Sequence, residues 1–146
     1  MRQKVLAIMV LVALGMAVAS TIGGCTASGR IDPATIERTW VLESFGAAAG
    51  LSPADPSVTT EMTLESGKAT GSGGVNSFTG RYEAFDDGRI RFGQPAATMM
   101  AGPPAAMEQE STFFSAMEKA TRFEINQGKL VLSDSDNNTL LVMAPK

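Results

Sequence analysis

Four glycines fall within ten residues, at positions 71, 73, 74 and 80, and the run closes on Phe78 and Tyr82. No other stretch restricts the chain so strongly. Glycine lets a backbone turn, bulge or approach another segment closely, and the aromatic residues that follow favour an extended strand. Alternating patterns flank the run. Val58, Thr60, Met62 and Leu64 interleave with more polar neighbours before it, and Ile90 and Phe92 resume the alternation after the turn pair Asp87-Gly88. Residues 71–82 therefore read as a corner between strands of one sheet. A phosphate-cradling loop needs a lysine followed by Ser or Thr and then a helix, or G-x-G-x-x-G opening a helix. Here an aromatic strand follows instead, which argues against nucleotide binding.

The remaining pattern is mostly strand. Asp32-Pro33 has the form of a helix start, with one or two turns over 34–38. Strands are expected at 40–45, with Trp40 and Leu42 inward, and at 58–65, 68–71, 78–85 and 89–93, with a short one at 96–100. Three more are expected at 122–125, 129–133 and 139–143. Ser66-Gly67, Asp86-Asp87-Gly88, Asn126-Gln127-Gly128 and residues 134–138 supply turns. Gly50, Pro53 and Pro56 mark 46–57 as a loop without regular structure. One long helix, about 104–121, opens at Pro103-Pro104. Met107, Phe113, Phe114, Met117 and Ala120 form its apolar face, and Glu108, Gln109, Glu118 and Lys119 fall mostly on the other. The expected class is α+β, mainly antiparallel β: a barrel or sandwich of about seven or eight strands with one packed helix.

The first residues read as an export signal. Arg2 and Lys4 precede an apolar run over 5–18, and small residues lead to the single cysteine in Ile22-Gly23-Gly24-Cys25. This segment resembles the lipobox of prokaryotic lipoproteins, in which the cysteine is lipidated and becomes the new N-terminus. The resemblance implies a signal peptide at 1–24, Cys25 as the lipidation site, a tether over 25–34, and a domain over 35–146 held at a membrane by its N-terminal lipid. Thr26 follows the cysteine where an aspartate is associated with inner-membrane retention. The implied location is the outer membrane in a diderm host, and otherwise the outer face of the cell membrane. Without Arg2 and Lys4 the chain carries ten basic and fifteen acidic residues, a formal balance of −5, so nucleic acid is not expected as a partner. One cysteine permits no disulfide within the chain, and packing must hold the fold.

Candidate reaction chemistry is sparse. The chain has no histidine, which removes the commonest general base and metal ligand. Ser66 and Lys68 form an S-x-K pair across a turn, without a supporting motif. Asp134, Asp136 and Asn138 copy the opening of a calcium loop, but Thr139 replaces the turn glycine and Pro145 the bidentate glutamate, so a polar turn is the expectation. Asn137-Asn138-Thr139 matches a glycosylation acceptor. Glu61, Glu65 and Glu83 lie in strand-like stretches and read as outward-facing. No metal, cofactor or catalytic residue is expected, and the domain is expected to be a monomer.

An ordered set of residues carries a family resemblance: Trp40-Val41-Leu42, then Gly74, Asn76, Phe78, Gly80 and Tyr82, then Ala97-Thr98-Met99-Met100-Ala101, and on the helix Met107, Glu110, Phe113 and Phe114. In these the chain resembles the META domain family, which includes the heat-shock protein HslJ. The resemblance implies a small calycin-like barrel with one helix, found in envelope and secreted proteins linked to stress responses and resistance, with no catalytic residues to carry over. It also implies structural roles for Trp40, Gly74, Asn76, Phe78, Gly80, Tyr82, Thr98, Met100, Glu110 and Phe113. Relatives often have G-C-N and M-A-C where this chain has Gly74-Val75-Asn76 and Met100-Ala101-Gly102, which implies that Val75 and Gly102 are neighbours in space. Asn76 is expected to bond its own backbone, and Glu110 to bond backbone donors or favour the helix dipole. The functional expectation is a non-enzymatic, lipid-anchored envelope protein acting on a protein partner. The alternative is a barrel holding an apolar ligand against Phe78, Tyr82, Phe92 and methionines.

Overall fold

The computed structural model describes residues 30–47 and 50–146. The export segment, Cys25 and residues 26–29 lie outside the described residues. Ten strands pair into one antiparallel sheet: β1 (Thr39–Ala47), β2 (Gly50–Pro53), β3 (Glu61–Glu65), β4 (Lys68–Ser72), β5 (Ser77–Ala84), β6 (Ile90–Phe92), β7 (Ala96–Ala97), β8 (Arg122–Asn126), β9 (Lys129–Ser133) and β10 (Thr139–Pro145). Helix α1 (Pro104–Lys119) sits between β7 and β8 in the chain, and a short 3-10 turn (Pro33–Ile36) precedes β1. Eight strands run in the order β6-β5-β4-β3-β1-β10-β9-β8, while β2 pairs with β1 and β7 with β5. The path nearly closes on itself. An isolated bridge joins Arg89 to Arg122, and the N–H groups of Ile90 and Phe123 donate to Thr121 O (3.0 Å) and Gly88 O (2.8 Å). The result is a nearly closed barrel of eight strands with one helix, in the expected class.

Alternation explains what fills it. Met62 and Leu64 of β3, Phe78 and Tyr82 of β5, Leu130 and Leu132 of β9, and Leu141 and Met143 of β10 point inward with Trp40 and Leu42. Trp40 donates its indole N–H to Ile36 O at 2.9 Å, so the ring is buried without an orphaned donor. Ser66-Gly67 and Gln127-Gly128 both take positive φ at two successive residues, the geometry that lets a two-residue hairpin follow the strand twist.

The structure corrects three expectations about the elements. Residues 50–53 form β2 rather than part of an unstructured loop. All four of its residues are exposed, so no burial pattern announced it, and its order comes from backbone pairing with β1. Pro53 sits at its end, where a missing N–H costs little. The short strand at 96–100 stops at Ala97 because side chains, described below, take over the backbone of Met100. On α1, Gln109 is buried and Met107 is 36% exposed, so the inward face is rotated to Ala106, Gln109, Glu110, Phe113, Ala116 and Met117.

A buried carboxylate clasp as candidate functional site

The glycine corner and the start of α1 meet at Glu110, which is 5% exposed. Its Oε2 accepts from the backbone N–H of Val75 (2.8 Å) and of Asn76 (2.5 Å), and its Oε1 accepts from Asn76 Nδ2 (2.7 Å). Asn76 continues the chain of bonds. Its Oδ1 accepts from the Thr98 hydroxyl (2.8 Å) and from Met100 N (2.7 Å), and its Nδ2 also donates to Met100 O at 3.2 Å. One side chain thus replaces a missing strand partner for Met100, which is why β7 ends at Ala97. The asparagine was expected to bond its own backbone, yet its amide reaches across to another segment. The bend is held by Glu110 instead.

Two glycines make the approach possible. A Cβ on Gly73 would lie 2.6 Å from Glu110 Cγ, and Gly74 takes φ +134°, with a Cβ there 2.7 Å from Val58 Cγ1. Beside the clasp, Gln109 donates through Nε2 to Thr60 Oγ1 (2.9 Å), Thr60 donates to Gly73 O (2.9 Å), and Gln109 Oε1 accepts from Asp55 N (2.8 Å). The alternation put Thr60 in the row of Met62 and Leu64 without showing its bonds, and Gln109 was assigned to the opposite face of α1. The i, i+4 spacing from Gln109 to Phe113 was the available signal, overridden by the residue's polarity. No buried side-chain nitrogen or oxygen lacks a partner among the described residues.

Burial pushes the Glu110 carboxyl up, but the donors on Asn76 and Val75 outweigh it and hold the group below its ordinary value. It is therefore ionised at neutral pH, an acceptor and not a proton donor. Chemically, the arrangement is suited to fixing a loop against a helix.

The other motif residues continue outward from the clasp. Phe78 and Phe113 are buried 5.8 Å apart between ring centroids, with Phe114 5.4 Å from Phe78. A Cβ on Gly80 would lie 3.4 Å from Pro95. Tyr82 lies farther along β5, its hydroxyl donating to Glu37 Oε1 at 3.5 Å, and Trp40 lies on β1. A Cβ on Gly102 would sit 3.3 Å from Val75 Cβ, so these two positions are indeed neighbours. Asp134 accepts at Oδ1 from the N–H groups of Asp136 and Asn138 and at Oδ2 from Asn138 Nδ2, a side-chain-braced turn as expected. Ser66 donates its N–H to Glu37 Oε1. Glu61 pairs with Lys146 (2.6 Å) and Glu83 with Arg91 (3.8 Å), while Glu65 is exposed. Outside the barrel, a cleft of about 620 Å³ runs between α1 and the β6–β7 segment over Phe92, Phe114 and Met117.

Fold and site together define a small antiparallel β-barrel to which a single helix is fastened by a buried carboxylate. The chain belongs to the META domain family, whose model matches residues 34–146. No curated protein matches it in sequence. Among solved structures it is similar to the NMR structure of a protein from Burkholderia xenovorans, with TM-score 0.64 and 24% identity, covering 77% of this chain and 86% of that one. It is also similar to the crystal structure of a DUF4847 family protein from Bacteroides vulgatus, with TM-score 0.53 and 16% identity over 75% of this chain and 93% of that one. Both likenesses are of fold.

Proposed function

We propose that this META domain protein is exported, anchored through a lipid on Cys25, and acts without catalysis by binding another envelope protein or supporting the envelope under stress. The observation that carries the non-catalytic reading is the clasp. The one deeply buried carboxylate, Glu110, is engaged by three donors of the protein's own loop, and its partner Asn76 is engaged on both amide atoms. The clasp also stiffens the loop after β7, which presents Met99 fully to solvent (99% exposed) and Met100 at 57%. Adaptable thioethers on a rigid loop suit contact with a protein surface. The carrier alternative draws no support from the barrel interior, where Trp40, Met62, Leu64, Leu130, Leu132, Leu141 and Met143 are each at most 1% exposed.

Growth with labelled palmitate is expected to label the wild-type chain and to leave Cys25→Ser unlabelled; an unlabelled, freely secreted wild type would refute the anchor. In-cell crosslinking with mass spectrometry is expected to capture one recurrent envelope protein. Co-purification of a stoichiometric lipid, seen by native mass spectrometry, would favour the carrier instead.

A further inference from the structure

We infer that the surface around Ile31, formed by the β5–β6 turn and β8, rests on the headgroup layer of the membrane that holds the anchor. The inference rests on the lipid-anchored reading above and adds an orientation to it. From Cys25 to Ile31 is six residue steps, which no polypeptide can stretch beyond about 20 Å. At Ile31 the chain is already tied to the domain: its N–H donates to Asp86 O at 2.8 Å, and a Cβ on Gly88 would meet its Cδ1 at 3.2 Å. A lipid on Cys25 therefore keeps this side of the barrel within about 20 Å of the bilayer. The opposite end lies farther from the anchor. β5 has eight residues, about 23 Å of strand; Asp86 follows its last residue, whereas Thr98 N donates to Ser77 O at its first.

Charge favours the same side. The charged residues lining the two hollows beside Ile31, with their ion-pair partners, are four arginines and four carboxylates. Arg30 pairs with Asp86 and Arg89 with Asp87, while Arg38 and Arg122 share the hollows with Asp32 and Glu124. The excess of five acidic residues in the chain from Cys25 onward consequently lies outside this neutral ring. A ring without net charge meets no net repulsion from anionic headgroups. Ile125, 39% exposed on β8, adds apolar contact area at the same place.

The test uses the lipidated full chain in phosphatidylethanolamine–phosphatidylglycerol vesicles doped with a nitroxide-headgroup lipid, with a fluorophore on Glu124→Cys or on Met99→Cys. Cys25, alkylated by its diacylglyceryl group, does not take the dye. Quenching at position 124 is expected to exceed that at 99 by about threefold or more, since headgroup quenchers act over roughly ten ångströms and Met99 follows the far end of β5, whereas Glu124 lines the hollows beside Ile31. Equal quenching, or stronger quenching at 99, overturns the orientation and leaves the anchor standing. An intact mass without acyl chains overturns the anchor, and the orientation with it.

Discussion

At the scale of single residues, Glu110 shows how a charge becomes a structural part. Taking a carboxylate out of water is costly unless donors replace the solvent, and here two backbone N–H groups and one amide do so. Glu110→Gln keeps the shape but turns one acceptor into a donor, which would then face Asn76 Nδ2 or a backbone N–H. Urea unfolding at pH 7 is expected to show a loss of about 2 to 3 kcal/mol. The pH dependence follows from the lowered carboxyl. A group whose folded value lies below its unfolded one stabilises fully above about pH 4.5 and loses that contribution as pH falls through the folded value. The variant is therefore expected to lose less further stability between pH 5 and pH 3 than the wild type does. A wild-type acid slope retained in Glu110→Gln would assign that slope to other carboxylates.

At the scale of elements, the β4–β5 corner and the loop entering α1 touch at Val75 and Gly102. A Cβ on Gly102 would clash with Val75 Cγ2 at 2.6 Å, so Gly102→Ala alone is expected to destabilise the domain. Replacing both residues turns the close contact into a bonded one: Val75→Cys deletes one branch and puts its sulfur in place of the other, and the Cβ separation of 3.3 Å is slightly under the disulfide range, so a shift of a few tenths of an ångström admits the bond. The oxidised Val75→Cys/Gly102→Cys variant is expected to gain about 3 kcal/mol over its reduced form, read as a higher Tm that dithiothreitol abolishes. Failure to oxidise in folded protein would show that the two segments are not held as close as the clasp implies. The rotation of the face of α1 has the same origin. Gln109 is polar yet inward, since Thr60 Oγ1 and Asp55 N meet it there.

At the scale of the whole molecule, one continuous core without a disulfide among the described residues joins β1, β3, β5, β9, β10 and α1, which favours all-or-none unfolding. The single tryptophan, Trp40, is 1% exposed in that core and reports on it. Its emission and the far-UV circular dichroism are expected to change at one urea midpoint; separate midpoints would mean that α1 or the β5–β7 side unfolds independently. Much of this architecture was legible beforehand. Period-two alternation, glycine turns and one 3.6-period stretch determined the strand ladder and the helix, because those signals depend on each segment's own burial and backbone freedom. They also marked the glycine corner, Phe78 and Phe113, whereas Asn76 and Glu110 were singled out by the resemblance to the META domain family. Which atoms those residues bond, the pairing of fully exposed β2, the inward turn of Gln109 and the bridge that nearly closes β6 on β8 were decided only in three dimensions. Each depends on a partner distant in the chain, such as Glu110 for Asn76 or Arg122 for Arg89, and a hydrogen bond between segments leaves no periodic trace in either one.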